Sequence, residues 1–169
     1  MLDLIKYGLF RMSINIKKAE RGDISGIIEL MRGLAEYEKL ADYCEITEKS
    51  LAAAMFDDKA FVEGIVARDA EKPIAYALFF PYFASFRGQR GFYLEDLYID
   101  GEYRGKGIGE ELLREIAKTA KIRGFERIDF QVLDWNEPAI KFYEKLGAES
   151  NSDESHFKFT GEFFEKLAS

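Results

Sequence analysis

The segment from Gly91 to Gly147 alternates twice between a strand pattern and a helix pattern, which leaves few topologies open to the chain. "GFYLEDLYID" and "RIDFQVL" predict strands. "ELLREIAKTAKIRG" predicts a helix that ends at Gly124, and "NEPAIKFYEKLG" predicts a helix that ends at Gly147. Two strands that are joined through a helix can pair in parallel, so we expect a parallel strand pair in this segment.

The remaining patterns add strands and helices on either side of that segment. They predict a strand at "SINIKKA", a helix capped by Asp23, a helix from Thr47, and two strands, "AFVEGIVARD" and "IAYALFFPYF", around the turn "AEKP". "HFKFT" predicts a closing strand. We therefore expect an α/β (α+β) fold whose single mixed, mostly antiparallel sheet has helices on both faces and a central parallel strand pair.

Length and charge exclude several classes of function. The chain has 169 residues, one Cys, one His and a formal net charge of −7. We expect no metal site and no disulfide, because Cys44 and His156 are single. The negative charge disfavours nucleic acid. Residues 1–12 are too short to span a bilayer, and we interpret them as a non-functional leader before one domain, 13–169, in the cytoplasm.

The stretch "YRGKGIGEELL", Tyr103–Leu113, places three glycines between a strand and a helix. Free N–H groups and the dipole at a helix start attract anions, and glycine lets a phosphate approach the backbone. The spacing matches neither the Walker loop nor the dinucleotide-binding fingerprint. Two interpretations remain for the stretch by itself, namely a pyrophosphate cradle and an ordinary strand–helix turn.

This stretch resembles the acetyl-CoA signature, R/Q-x-x-G-x-G/A, of the GCN5-related N-acetyltransferase (GNAT) family. The resemblance extends through "FYLEDLYIDGEYRGKGIG" and "VLDWNEPAIKFYEKLGA" and back to "LAEYEKL". These segments are similar to the diamine (spermidine/spermine) and thialysine acetyltransferase branch. The resemblance implies the acyl-CoA N-acyltransferase fold, a homodimer, and transfer of an acetyl group from acetyl-CoA to a primary amine through a tetrahedral intermediate.

The same resemblance implies where acetyl-CoA binds. The backbone of Leu97, Tyr98 and Ile99 is expected to contact the pantetheine, and Asn136 and Lys145 are expected to contact the cosubstrate as well. A solvated Lys145 fits the pattern equally well. The pyrophosphate is expected at the residues of the loop, which are Arg104, Gly105, Lys106, Gly107, Ile108, Gly109 and Glu110.

Four further residues are expected to carry the chemistry or to bind the substrate. The family has a tyrosine at the position of Tyr143 as general acid for the CoA sulfur, although the stripe with Ala139 and Ile140 also fits a core tyrosine. Glu95 matches a carboxylate that draws a proton from the amine through water. Its alternative is a structural acid, the role we expect for Asp96. Tyr37 and Glu38 match a substrate-side pair, although Glu38 also fits a solvated helix end.

Departures from the branch leave the substrate open. The acids that typical spermidine/spermine enzymes carry before "YLED" and before the last strand are replaced here by Ser85 and Ser152, although Asp153 and Glu154 are nearby. A short amine, such as a diamine, thialysine or a lysine-like compound, therefore fits at least as well as a polyamine. The alternatives are a protein lysine or N-terminal acetyltransferase and a non-catalytic CoA-binding module.

Overall fold

The computed structural model describes residues 14–150 and 157–169, which form five strands and five helices. The strands are β1 (Ile14–Lys18), β2 (Glu63–Asp69), β3 (Lys72–Ala84), β4 (Gln89–Ile99) and β5 (Arg127–Phe130). The helices are α1 (Ile24–Tyr37), α2 (Glu48–Phe56), α3 (Ile108–Ile122), α4 (Glu137–Lys145) and α5 (Gly161–Ala168). The predicted order of elements is confirmed from β1 to α4.

The strands form one sheet in the order β1-β2-β3-β4-β5. Neighbouring strands from β1 to β4 pair in antiparallel fashion, and β4 pairs with β5 in parallel over Gly91–Leu94. The predicted mixed sheet with one parallel strand pair is therefore confirmed. Among the described residues this pair lies at the edge of the sheet, because β5 is its last strand.

Helices cover both faces of the sheet, as the sequence predicts. On one face α1 and α2 bury Ile27, Leu51 and their neighbours against Tyr76 and Leu78 of β3. On the other face α3 packs Leu112 and its neighbours against the alternate residues of the same strand, such as Ala77 and Phe79. The alternation of β3 side chains between these two cores explains why the strand is almost continuously apolar.

Two local predictions are wrong. Residues 157–160 of the predicted closing strand carry no regular structure, and His156 lies outside the described residues. The described residues from Val132 onward contain two helices and no strand with which this segment can pair. Asp23 precedes α1 but does not cap it, because its carboxylate accepts hydrogen bonds from the Arg68 guanidinium and from the Glu20 N–H.

The chain divides into two compact units, one ending at Gln131 and the other beginning at Val132. The sheet, α1, α2 and α3 belong to the first unit, and α4 and α5 belong to the second. No described helix is both long and apolar enough to cross a membrane. The expected leader, residues 1–12, lies outside the described residues, as do Ser152, Asp153 and Glu154. A single domain over 13–169 stays a prediction.

Candidate active site

Strand β4 contains a bulge at Glu95. Leu94 pairs with Phe79 and Asp96 pairs with Leu78, so Glu95 is an additional residue that faces no partner on β3. A bulge bends its strand and interrupts the alternation of side chains. Pairing with β5 ends at Leu94, directly before the bulge, and this explains why β5 is shorter than the predicted "RIDFQVL" strand. The bulge leaves Glu95 exposed and Asp96 partly buried.

Asp96 is the carboxyl group with the most perturbed environment in the first unit. It accepts a hydrogen bond of 3.2 Å from the hydroxyl of Tyr76, a fully buried residue. Desolvation, followed by the charge of Glu95, raises the pKa of Asp96 to about 6. The charge of Glu38 acts in the same direction. The hydrogen bond to Tyr76 fits the structural role that we expected for Asp96.

Glu38 directly follows α1, and it lies close enough to Asp96 and Tyr76 for its charge to affect the pKa of each. Its N–H donates to the carbonyl oxygen of Leu34 at 2.9 Å, which closes the last turn of the helix. Burial raises the pKa of the Glu38 carboxyl, and its charge contributes to the raised pKa of both Asp96 and Tyr76. Three carboxylates from two elements, Glu38, Glu95 and Asp96, therefore share one region of negative potential.

Beyond the bulge, Leu97, Tyr98 and Ile99 pair with β3 on one side only. Their partners are Ala77, Tyr76 and Ala75, respectively. Within the described residues, β5 pairs with β4 no further than Leu94, so no strand pairs with 97–99 on the β5 side. Binding of the pantetheine by this backbone stays a prediction of the resemblance.

The glycine loop follows β4 and leads into α3. Gly105 and Gly107 have φ values of +71° and +82°, and no heavy atom lies within 4 Å of where a Cβ would stand on either residue. Left-handed backbone favours glycine. Helix α3 begins at the next residue, Ile108, which is buried together with Gly109. Gly105 and Gly107 thus leave open space beside the first-turn N–H groups of the helix.

The two cations of the loop lie against tyrosine rings. The guanidinium carbon of Arg104 is 4.7 Å from the centre of the Tyr37 ring and 5.3 Å from that of Tyr98, and its Nε donates to the carbonyl oxygen of Ile99 at 3.0 Å. Lys106 Nζ lies 4.9 Å from the centre of the Tyr103 ring. These contacts hold positive charge at the loop and connect it to α1. Glu110, also expected at the cosubstrate, forms an ion pair with Arg114.

The second unit holds the other residues expected at the site. Asn136 is buried, and its side chain accepts a hydrogen bond from the Ala139 N–H, so it caps α4. Tyr143 is half-buried on this helix, and burial raises its pKa to about 12. Lys145 ends the helix and is exposed.

Sequence analysis missed several polar groups on the face of the sheet that carries Asp96. Tyr82, Tyr93, Arg127 and Asp129 lie on that face, beyond the part of it that α1 and α2 cover. The available signal was the alternation in "RIDF", which places Arg127 and Asp129 on the same side of β5. Their proximity to the Glu95 bulge depends on the strand register, which the alternation does not specify.

Comparisons with known proteins agree with this geometry. The model of the acetyltransferase (GNAT) family matches residues 29–148. The chain is 36% identical over 166 residues to thialysine N-epsilon-acetyltransferase of Bos taurus, a match that covers 92% of this chain and 97% of that protein. It is 28% identical to L-ornithine N5-acetyltransferase of Arabidopsis thaliana, with 93% and 89% covered. An integron cassette protein from the mobile metagenome of V. cholerae superposes with a TM-score of 0.77 at 26% identity, covering 92% and 98% of the two chains.

Proposed function

The chain belongs to the GNAT family of acetyltransferases, and we propose that it transfers the acetyl group of acetyl-CoA to a primary amine of a small cationic molecule. In this proposal the neutral amine attacks the thioester directly, through a tetrahedral intermediate, and the thiol leaves. Enzyme activity of the acetyltransferase type follows from the family, whereas the cosubstrate, the route and the residue roles are our proposal.

The observation that carries the proposal is the open glycine loop at the start of α3. Gly105 and Gly107 leave room for a diphosphate beside the N–H groups of the first helical turn, and Arg104 and Lys106 add positive charge. Next to the loop, the backbone of 97–99 is unpaired on the β5 side within the described residues, which suits the amide groups of a pantetheine arm. The residues therefore fit acetyl-CoA. Asn136 and Lys145 are its proposed contacts from the second unit.

The three neighbouring carboxylates, Glu38, Glu95 and Asp96, support a cationic acceptor. An alkyl amine is mostly protonated at neutral pH, so it is attracted to carboxylates and must lose a proton before it attacks. We assign attraction of the ammonium to Glu38 together with Tyr37, and removal of the proton through water to Glu95. Exposure of Glu95 at the bulge is consistent with a proton path to solvent.

Tyr143 is the proposed donor of the proton to the departing sulfur. Its raised pKa, about 12, keeps the phenol protonated at neutral pH. A thiol has a pKa of about 8.5 in water, so transfer from a phenol of this strength to a thiolate is uphill. The assignment therefore requires that the bound substrates lower the pKa of Tyr143.

Two of the relatives have names that support an amino acid acceptor. Thialysine and ornithine are short α-amino acids with a terminal side-chain amine, and both names place the acetyl group on that amine. We propose this class ahead of long polyamines, since Ser85 stands where typical spermidine/spermine enzymes carry an acid. From the resemblance we also propose a cytoplasmic homodimer, which sedimentation analysis of the purified protein tests.

Release of free thiol from acetyl-CoA tests the function directly. Purified protein is incubated with acetyl-CoA and, in turn, thialysine, ornithine, a diamine and spermine, and the acetylated product is identified by mass spectrometry. We expect turnover of the short amines and little gain from the additional charges of spermine. A hundredfold preference for spermine would contradict the substrate class. Turnover of none of them would favour the protein-acetylating alternative, which a lysine-containing peptide then tests.

A further inference from the structure

Four polar or aromatic side chains form a cluster next to the Glu95 bulge, on the face of the sheet that carries Asp96. They are Tyr82, Tyr93, Arg127 and Asp129. The β4–β5 register places Tyr93 beside Asp129 and Gly91 beside Arg127. The β3–β4 register places Tyr82 opposite Gly91. Because Asp96 and Tyr93 lie on this same face, the cluster continues the acidic region along β4 toward the N-terminal end of that strand.

The centre of this cluster is the ion pair between Arg127 and Asp129, to which the side chain of Tyr82 is hydrogen-bonded. Arg127 Nε and Nη2 donate to the carboxylate oxygens of Asp129 at 2.9 to 3.0 Å, and the Tyr82 hydroxyl also donates to Asp129. The side chains of Arg127 and Asp129 are 31% and 34% exposed, respectively. Both residues belong to the same short strand, so their ion pair by itself joins no two elements. The hydrogen bond from Tyr82 to Asp129 is the contact that links β3 to β5.

Gly91 provides the room for this arrangement. A Cβ at Gly91 would stand 2.6 Å from Arg127 Cγ and 2.9 Å from Tyr82 Cε1. Atoms at these separations overlap, so the two side chains can lie over β4 only because residue 91 has no side chain. Tyr93 flanks the cluster with its ring 6.3 Å from that of Tyr82, and it stacks on Phe80 at 5.4 Å. The surface of the sheet between Glu95 and the ion pair is therefore formed by aromatic side chains.

We propose that the Arg127–Asp129 pair binds the α-carboxylate and α-ammonium of an amino acid whose terminal side-chain amine lies at Glu95. The inference rests on the proposed function and specifies its substrate class. A zwitterion complements an Arg–Asp pair, because the carboxylate accepts from the guanidinium while the ammonium donates to the aspartate. The Tyr93 ring then contacts the methylene groups between the two ends.

The dimensions suit an amino acid of the length of lysine. Glu95 and Gly91, the neighbour of Arg127, are four residues apart along β4, or about 13 Å at the usual rise. In lysine, six bonds of about 1.5 Å join the terminal nitrogen to the carboxyl carbon, which gives about 7 Å when extended. The separation along β4 exceeds the length of lysine, and the side chains of Glu95 and Arg127 span the difference.

The Arg127–Asp129 pair predicts a preference for the amino acid over a diamine. A diamine keeps an ammonium that can donate to Asp129, but it has no carboxylate to accept from the guanidinium of Arg127. The carboxylates of Glu38, Glu95 and Asp96 attract the ammonium groups of both classes. Preference for the amino acid is therefore expected to depend on Arg127 and to disappear when its charge is removed.

Two substrates of equal length test the proposal. Thialysine and bis(2-aminoethyl) sulfide carry the same terminal amine, and only thialysine has the carboxylate. In the full-length protein, we expect Arg127→Gln to lower kcat/KM for thialysine about 100-fold, the scale for a lost buried charge contact, and to change that for the diamine less than threefold. Arg127→Lys is expected to retain part of the preference. Arg123→Gln removes the bidentate pair with Glu63 elsewhere in the first unit and serves as the matched control.

Two outcomes of these kinetic measurements would overturn the proposal. One is an equal loss of kcat/KM for both substrates in Arg127→Gln, and the other is no preference for thialysine in the wild-type protein. If Arg127→Gln does not fold, the wild-type comparison and Asp129→Asn remain decisive. If no amine is acetylated at all, the proposed function fails, and calorimetric titration with thialysine still separates the two ideas. Binding that depends on Arg127 supports the subsite, and absence of binding overturns it.

Discussion

The hydroxyl of Tyr76 donates a 3.2 Å hydrogen bond to the Asp96 carboxylate inside the first unit. The two residues are 20 positions apart and meet because β3 and β4 pair in antiparallel fashion, with Tyr76 opposite Tyr98 and Asp96 opposite Leu78. The contact places an acid in a region of low polarity, where the charges of Glu95 and Glu38 disfavour ionisation. The free energy of unfolding therefore depends on pH through this group.

Asp96→Asn is expected to stabilise the protein at pH 7 and to have little effect at pH 4. Because the pKa of Asp96 rises from 3.8 to about 6 on folding, the folded state holds the proton more tightly. The free energy of unfolding then falls as pH rises from about 4 to 6, by up to about 3 kcal/mol. Urea denaturation of both proteins across this range measures the difference. A difference that does not vary with pH would contradict the assignment.

Replacing Gly107 by Val is expected to weaken acetyl-CoA binding at least tenfold, or about 1.4 kcal/mol, because a side chain would occupy the open space proposed for the diphosphate. Gly124→Val is the matched control. Gly124 has a φ of +70°, and its Cβ position is equally open, but it lies at the other end of α3. Calorimetry measures both affinities. Equal effects of the two substitutions would assign the loss to backbone strain.

Tyr143→Phe is expected to lower turnover about 100-fold while leaving the affinity for acetyl-CoA nearly unchanged, because the ring remains and only the proton donor is lost. Steady-state kinetics and calorimetry measure the two quantities. Tyr43→Phe changes an exposed phenol and serves as the control. Undiminished turnover, where the chemical step limits the rate, would make Tyr143 a packing residue only.

Glu38→Gln and Glu95→Gln are expected to affect different kinetic constants. Loss of the Glu38 charge weakens attraction of the ammonium and raises KM for the amine, whereas loss of Glu95 removes the proton acceptor and lowers kcat. Wild-type kcat/KM is expected to rise with pH until the amine finishes losing its proton. Glu36→Gln, an exposed neighbour on α1, is the control. The same KM and kcat changes in both variants would not fit separate roles.

Ala70→Gly is expected to stabilise the protein by about 0.5 kcal/mol. Ala70 is the first residue of the two-residue connection between β2 and β3 and has a φ of +52°, where glycine is free of the strain of an L side chain. Ala53→Gly in the exposed surface of α2 should destabilise by about 1 kcal/mol. Thermal unfolding compares the two variants, and destabilisation by both would refute the strain argument.

Local patterns predicted the elements that depend on neighbours in sequence. The start of α2 after Thr47 and the ends of α3 and α4 before Gly124 and Gly147 all involve groups within a few residues of each other. The predictions that were wrong depended on distant partners. Asp23 binds Arg68, 45 residues away, in preference to its own helix, and 157–160 have no strand to pair with among the described residues of their unit.

The sequence by itself determined the order of strands and helices from β1 to α4, the two faces of the sheet and the place of the glycine loop between a strand and a helix. Periodicity, capping residues and glycine act over one or two turns of backbone, and they can be recognised without the fold. Only the tertiary structure decided that Glu95 occupies a bulge, that Asp96 is partly buried against Tyr76, and that Arg104 stacks on Tyr37. These contacts arise from strand register and helix docking, which depend on burial summed over the whole first unit.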